Sequence, residues 1–186
     1  MALTRARVLT SSSEAFSAKV TAFLQEILCR PREAQKIAAD VASMRGRIEK
    51  EKGTKDIWDL KQVAGGLVDI EFIAQYLQLV HGHAHPEVLA QNTETALGRA
   101  LELGLLNADD AGGLLQALRL YHRLTQILRM TLTGKFQPVE APGGVLALLL
   151  NAAAAPDLAR LEVELAETQA NVRGIFERLV GPVNPD

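Results

Sequence analysis

The sequence predicts an all-α protein, a bundle of six or seven helices, and three observations support this fold class. Nearly half of the 186 residues are apolar (48%), so the chain can bury a sizeable core. Aromatic residues make up only 4%, whereas leucine and alanine, which favour helices over strands, are abundant. Apolar residues recur at helical spacing, and no segment alternates polar and apolar residues as a half-buried strand would.

The charge and cysteine content argue against several classes of protein. The net charge of −2 arises from interspersed acids and bases, so nothing in it favours binding to nucleic acid or to an anionic membrane. The single cysteine, Cys29, cannot form an internal disulfide, which suits a reducing compartment. No signal peptide is evident, and no apolar run reaches the ~18 residues that a membrane span needs. The sequence therefore predicts a cytoplasmic protein that makes no membrane contact.

The first helix is predicted from about Ser13 to Cys29, with Cys29 in the core. Before it, residues 1–9 have the pattern of the end of another helix. Ser11 and Glu14 have the spacing of a capping box at the start of the first helix. The apolar face that this helix would bury consists of Phe16, Val20, Phe23, Leu24 and Ile27.

A second helix and a connector lead to the most distinctive segment. Pro31 suits the first turn of a helix that stops near Gly53 and whose charged residues are expected to face solvent. Residues 53–66 form a connector that is long for a compact domain, which suggests a function. A third helix follows over residues 67–81. Its buried face would comprise Leu67, Ile70, Ile73, Ala74, Leu77 and Val80.

The remaining helices have recognisable ends. A helix from Thr93 ends at Gly104, and Asn107 caps a long helix that runs to about residue 133. Asp109 and Asp110 lie favourably at the positive end of this long helix. Two further helices are predicted over residues 145–153 and about 156–180.

Gly65 and Gly66 directly precede the third helix, with Lys61 before them and Asp69 after them. Glycine allows a close approach of the backbone, and a helix N-terminus attracts phosphate, to which Lys61 would add a positive charge. The alternative is a flexible helix entry in which Asp69 only complements the helix dipole. The residues alone favour this alternative, because glycine pairs before helices are common and the P-loop pattern G-x-x-x-x-G-K-[ST] is not present.

The two acids of this segment, Asp69 and Glu71, are expected to have separate roles. Two positions correspond to about 200° around a helix, so the two side chains point to opposite sides and cannot form one metal clamp. Glu71 lies close to the apolar face, where a carboxylate needs a partner. We expect a structural ion pair between Glu71 and Arg123. The candidate partners on the long helix are Arg119, His122, Arg123 and Arg129.

His81, His83 and His85 alternate in the segment H-G-H-A-H. Alternating histidines converge on a metal ion when the backbone is extended, whereas Gly82 and Pro86 place these three at a helix end and in a loop. No cysteine or acid with ligand spacing lies nearby. Nucleophile and zinc-protease motifs such as G-x-S-x-G and H-E-x-x-H are also missing from the sequence. The sequence therefore predicts neither a metal site nor a catalytic residue.

Residues 59–79, DLKQVAGGLVDIEFIAQYLQL, closely resemble the segment that follows the nucleotidyltransferase domain in the bacterial glutamine synthetase adenylyltransferase family. The family pattern is D-[IL]-K-x-x-x-G-G-[IL]-x-D-I-E-F-x-x-Q-Y-L, and the likeness extends over about residues 10–180. The form found here resembles the adenylylating half of that enzyme rather than the half that removes AMP, where the motif reads G-G-I-R-E-I-E-F. A related uridylyltransferase family shares G-G-L-x-D-I but continues differently. The positions that fit are Lys61, Gly65, Gly66, Asp69, Ile70, Glu71, Phe72, Gln75, Tyr76 and Leu77.

The resemblance implies a C-terminal helical domain over residues 11–186, with residues 53–66 as the loop that enters the motif helix. It also implies that residues 1–10 are the end of a preceding nucleotidyltransferase domain. The implied partners are that domain, glutamine synthetase and the PII signalling protein. Mg²⁺ and ATP would serve the whole enzyme but bind mainly outside this chain, because the sequence has no D-x-D motif to hold the metal ions. We therefore expect the chain alone to be inactive.

Three hypotheses remain open. In the first, the chain is the helical domain of the adenylylating half, and Lys61, Gly65, Gly66 and Asp69 contact nucleotide or the neighbouring domain. In the second, it is an interaction module that docks glutamine synthetase or senses PII protein or glutamine without touching nucleotide. In the third, it is an unrelated bundle that binds metal through the histidine cluster.

Overall fold

The computed structural model describes residues 1–131 and 134–183, and within this part of the chain the fold is entirely helical. Short 3₁₀ helices occupy Ala2–Arg5, Pro86–Val88 and Pro138–Glu140. The α-helices are α1 (Glu14–Leu28), α2 (Ala34–Lys52), α3 (Leu67–His81), α4 (Thr93–Glu102), α5 (Ala108–Thr131), α6 (Gly143–Ala153) and α7 (Leu158–Leu179). The predicted bundle of six or seven helices is confirmed.

Helix α3 lies at the centre of the bundle, in contact with α2, α4, α5 and α7. It is buried on nearly every side, because its polar positions are few and its apolar residues continue around the helix. The bounds of α3 and all six residues of its predicted buried face are confirmed. Helix α5 packs against α4, α6 and α7 and completes the bundle.

Side-chain caps fix the starts of α1, α4, α5 and α7. The Asn107 side chain accepts a hydrogen bond from the Asp110 amide at 2.9 Å, as predicted for the start of α5. Asp157 caps α7 in the same way at 2.8 Å from the Arg160 amide. The predicted capping box at Ser11 is wrong, because Ser13 is the cap of α1 and accepts from the Phe16 amide at 3.2 Å.

The predicted burial of α1 is wrong. Phe16 and Phe23 are 58% and 56% exposed, and Leu28 is the one buried residue of the helix. Cys29, expected in the core, is half-buried. The main apolar cluster draws on α2 to α7 and includes no α1 residue in the described part of the chain. Helical spacing correctly identified an apolar face, but this face lies outside the core.

The N-terminal segment and α2 also differ from the prediction. Residues 1–9 do not continue as the end of an α-helix, since only Ala2–Arg5 is helical and of the 3₁₀ type. Helix α2 begins at Ala34, three residues after Pro31, and ends before Gly53 as expected.

Among the described residues, no single helix is both long and apolar enough to cross a membrane. The bent pair α6 and α7, with 49° between them, passes that test jointly by length and composition.

Candidate functional site

The connector of residues 53–66 is fixed to α7 by side-chain hydrogen bonds. The indole nitrogen of Trp58 donates to Glu162 at 3.1 Å, and the side-chain amide of Gln169 donates to the Ile57 carbonyl at 2.8 Å. Trp58 itself is buried and packs edge-on against Phe136, with ring centroids 4.5 Å apart. The long connector is therefore an integral part of the packed domain.

Gly65 occupies a position where only glycine fits. Its φ of +78° lies in the left-handed region, and a Cβ there would stand 1.8 Å from the carbonyl oxygen of Gln169 on α7. Its amide donates to the Asp69 carboxylate at 2.7 Å, and its carbonyl accepts from the Tyr121 hydroxyl at 3.1 Å. Gly65 thus joins the connector to α3, α5 and α7.

Gly66 is the residue from which α3 starts, and it is buried as well. A Cβ at Gly66 would lie 2.7 Å from the Leu60 carbonyl oxygen. The following amides of Leu67 and Val68 donate to the carbonyls of Leu60 and Lys61 at 2.8 and 3.3 Å. The amides that a phosphate would need at this helix N-terminus are therefore bonded to the chain itself.

Asp69 lies at the centre of a buried charge network. Both Asp69 and Arg45 of α2 are 0% exposed, and they form a direct ion pair. The second carboxylate oxygen of Asp69 accepts from the Gly65 amide and lies 3.2 Å from Nη1 of Arg173 on α7. Because its two oxygens are already engaged by two arginines and an amide, this carboxylate does not fit a role as a Mg²⁺ ligand.

Glu49 of α2 completes the network. Its Oε2 lies 3.2 Å from Nη1 of Arg45 and 3.2 Å from Nη2 of Arg173, so two carboxylates face two guanidinium groups. Burial alone would lower the pKa of Arg173, but the charges of Asp69 and Glu49 raise it. Burial and the charge of Asp69 raise the pKa of Tyr121. The network ties α2, α3 and α7 together beneath the glycine pair.

Glu71 pairs with Arg5, at 3.0 Å, instead of the predicted Arg123. The predicted partner was wrong because Glu71 turns towards the N-terminal 3₁₀ helix, whereas Arg123 is exposed on α5. The separation of the two acids was correct, since Asp69 faces α2 and α7 and Glu71 faces the opposite side.

Lys61 is exposed at the edge of a cleft of about 480 Å³ whose lining includes the Trp58–Phe136 pair. Arg129 and Lys135, also exposed, line the same cleft. Two aspartates share the lining, but Asp56 accepts from the Trp58 amide at 3.0 Å and Asp59 from the Gln62 amide at 3.1 Å. Lys61, Arg129 and Lys135, which form no ion pair among the described residues, therefore outweigh the two aspartates by one positive charge around a cleft large enough for a small anionic ligand.

The three histidines at the end of α3 remain close to one another. Burial lowers the pKa of His81, and so do the charges of His85 and His83. His83 Nδ1 lies 3.0 Å from the Val80 carbonyl oxygen. In residues 1–131 and 134–183, no group of three His, Cys, Asp or Glu side chains is placed to hold a metal ion.

A family model described as GlnD PII-uridylyltransferase matches residues 35–180, which span almost all of α2 and the whole of α3 to α7. The chain belongs to this family.

Its curated relatives carry a different activity in their names. The chain is 51% identical, over 181 residues, to a "bifunctional glutamine synthetase adenylyltransferase/adenylyl-removing enzyme" of Rhodopseudomonas palustris (strain BisB5). Enzymes of the same name from Bradyrhizobium sp. (strain ORS 278) and Xanthobacter autotrophicus (strain ATCC BAA-1158 / Py2) are 50% and 46% identical over 180 residues. These matches cover 97% of this chain and 18% of each relative. The resemblance to glutamine synthetase adenylyltransferases is confirmed, and the chain spans about a fifth of their length.

The structure separates the predicted site residues into two groups. Gly65, Gly66 and Asp69 are buried together, whereas Lys61 faces solvent in the cleft. Sequence reasoning missed Arg45, which was assigned to a solvated face. A signal was available in the sequence, because Arg45 follows the apolar Val41 by four positions and therefore lies on the same face of α2.

Proposed function

We propose that this chain is the helical module of a longer cytoplasmic enzyme that transfers AMP to glutamine synthetase and, through another part, removes it. The main observation that supports this proposal is the 51% identity, over 97% of the chain, to an enzyme named for these two activities. The module would serve the control of nitrogen assimilation. ATP and Mg²⁺ would bind mainly in a neighbouring nucleotidyltransferase domain, because the Asp69 carboxylate is engaged by arginines.

Within that enzyme, the role that the geometry supports best is positioning of the nucleotide or of the domain that holds it. Lys61 is the one residue of the predicted site that is open to a ligand, and Arg129 and Lys135 add two positive charges to its cleft. A cationic cleft favours the phosphates of ATP electrostatically. The buried glycines and Asp69 would contribute indirectly, because they hold the backbone that carries Lys61.

The test is steady-state kinetics of AMP transfer by the full-length enzyme carrying Lys61→Ala. We expect the KM for ATP to rise by about tenfold, which corresponds to one charge-assisted hydrogen bond of roughly 1.4 kcal/mol. Lys36→Ala is the matched control, because Lys36 is an exposed lysine of α2 outside the cleft lining. Unchanged ATP kinetics in the Lys61 variant would contradict the positioning role.

A companion assay addresses the placement of catalysis. The chain alone, incubated with ATP, Mg²⁺ and glutamine synthetase, is expected to transfer no AMP. Turnover above background would show that the chain holds a catalytic centre of its own.

The second candidate is an interaction module that docks glutamine synthetase or senses the PII protein without contacting nucleotide. The apolar residues exposed on α1 favour it, since such surfaces commonly mark protein contacts. A Lys61 variant with normal ATP kinetics but an altered response to PII protein or glutamine would support this candidate over the first.

A further inference from the structure

Helix α1 carries an apolar face that the described structure covers only in part. This α1 face consists of Phe16, Val20, Phe23, Leu24 and Ile27, which recur at helical spacing. Its two phenylalanines are more than half exposed, and the other three residues are half-buried. Two aromatic rings exposed on one helix face are unfavourable in water, because each ring has a large apolar area. A protein surface that packs on them would remove this area from water.

A groove lies beside the α1 face and shares Leu24 with it. Leu24 and Leu28 line one side of the groove, and Leu3, Val8 and Leu89 contribute to the rest of its lining. Its volume is about 880 Å³. Polar side chains of α1, namely Ser17, Thr21 and Gln25, line the groove as well, so the apolar character of a protein contact belongs to the α1 face itself.

Two independent observations set α1 apart from the domain on which it lies. No α1 residue joins the main apolar cluster in the described chain, and the family model begins at residue 35, beyond α1. The long adenylyltransferase relatives nevertheless match 97% of the chain, which includes α1. Helix α1 is therefore carried by the long enzymes without serving the core of this module.

We propose that the α1 face is an interface within the polypeptide, covered in the full-length protein by another domain of the same chain. This proposal rests on the proposed function, since it takes the chain to be one part of a longer enzyme. The relatives are more than five times longer than the stretch they share with this chain, so they carry ample chain to supply the cover. Permanent interfaces are more apolar than transient ones, so a resident domain fits the α1 face better than a substrate protein that must leave.

The test is a comparison of amide hydrogen-exchange rates in α1 between the full-length protein and the isolated chain. Amides of residues 16–28 are expected to exchange at least about tenfold more slowly in the full-length protein than in the chain of residues 1–186 alone. Amides of α6 are the control, because they belong to this module and α6 is not part of the proposed interface. Equal α1 exchange rates in the two proteins would overturn the proposal.

Substitutions give a second readout that is independent of enzymatic activity. Phe16→Ser combined with Phe23→Ser should leave the melting temperature of the isolated chain nearly unchanged, because both rings are more than half exposed and neither belongs to the main apolar cluster. In the full-length protein the same pair should abolish the slow exchange of α1. Leu148→Ser on α6, where Leu148 is 51% exposed, is the matched control. It should change neither the melting temperature of the isolated chain nor the slow exchange of α1 in the full-length protein.

Other occupants would give distinct results. Slow α1 exchange that requires added glutamine synthetase would assign the surface to that protein and overturn the proposal. A dimer of the isolated chain that the paired substitution dissociates, without α1 protection in the full-length protein, would assign it to a second copy. The exchange experiment needs no AMP transfer, so a failed interface and a failed activity assignment are distinguishable.

Discussion

At Gly65 the backbones of the connector and of α7 approach too closely for any side chain. Gly65→Ala is expected to lower the free energy of unfolding by about 3 kcal/mol or more. A non-glycine residue at positive φ costs roughly 1–2 kcal/mol, and the new Cβ would in addition displace the Gln169 carbonyl. Urea denaturation followed by circular dichroism measures this loss.

Gly104 provides the control for that substitution. Its φ is +69°, but a Cβ there would meet nothing within 4 Å. Gly104→Ala should therefore lower the free energy of unfolding only by the cost of a non-glycine residue at positive φ, roughly 1–2 kcal/mol. Equal losses of unfolding free energy in the two variants would mean that the close approach of α7 to Gly65 adds nothing to the cost of Gly65→Ala.

The buried Asp69 carboxylate is the partner of guanidinium charges that are costly to bury without one. Asp69→Asn keeps the shape of the side chain but removes its charge, and we expect a loss of about 3–5 kcal/mol because Arg45 stays fully buried. Asp109→Asn, at an exposed position in the first turn of α5, should cost less than about 1 kcal/mol. Urea denaturation of both variants checks the difference.

A double substitution separates charge from packing at the same position. Asp69→Leu with Arg45→Met removes both members of the ion pair and should be more stable than Asp69→Asn, because the fully buried guanidinium is removed together with its Asp69 partner. If the double variant is less stable than Asp69→Asn, the charge network stabilises the fold by more than the mutual neutralisation of its charges.

At the scale of single residues, sequence patterns located the site but did not identify its contacts. The glycine pair, Lys61 and Asp69 were recognised, and helix geometry correctly sent Asp69 and Glu71 in opposite directions. Which arginine meets each acid depends on how α2, α7 and the N-terminal segment pack on α3, and helical spacing carries no information about that packing. The Glu71–Arg123 prediction failed for this reason, and Arg45 and Arg173 were not foreseen as partners of Asp69.

At the scale of helices, the same limit explains α1. Periodicity predicted the bounds of α3 and α1 about equally well, because both have a clear apolar pattern and recognisable starts. It cannot distinguish a face that is buried in this domain from a face that meets another one. Elements within the core were therefore predictable, whereas the position of α1 outside the core was not.

Removal of α1 tests this division of the chain. A chain of residues 31–186, which also lacks the N-terminal 3₁₀ helix with the Arg5 partner of Glu71, should fold with a melting temperature no more than about 8 °C lower, which corresponds to a loss of roughly 2 kcal/mol for a protein of this size. The small effect is expected because α1 contributes no residue to the main apolar cluster of the described chain. Thermal denaturation followed by circular dichroism measures the change.

Removal of α7 is the counterpart, because α7 is also a terminal helix of the described chain but is built into the core. A chain of residues 1–157 would lose the buried Leu161, Leu165 and Phe176 together with Arg173 of the charge network. We expect this chain not to fold cooperatively. If the two truncated chains were equally stable, α1 and α7 would not differ in their contribution to the core.

At the scale of the whole molecule, one apolar cluster links α2 to α7 with the connector through Trp58 and Leu60. The connector should therefore unfold together with the bundle. Trp58 is the single tryptophan, so its fluorescence reports the connector, while circular dichroism reports the helices. We expect the two signals to have the same midpoint in urea, as two-state unfolding requires.

The control for this experiment weakens the attachment of the connector selectively. Glu162→Gln keeps a carbonyl acceptor for the Trp58 indole, whereas Glu162→Ala removes it. Both urea midpoints should fall together in the alanine variant, because the connector and the bundle form one cooperative unit, and the free energy of unfolding should fall by about 1 kcal/mol. A fluorescence midpoint at lower urea than the circular dichroism midpoint, in the unsubstituted chain, would contradict this expectation. The connector would then unfold as a separate segment, and the position of Lys61 would not depend on the bundle beneath it.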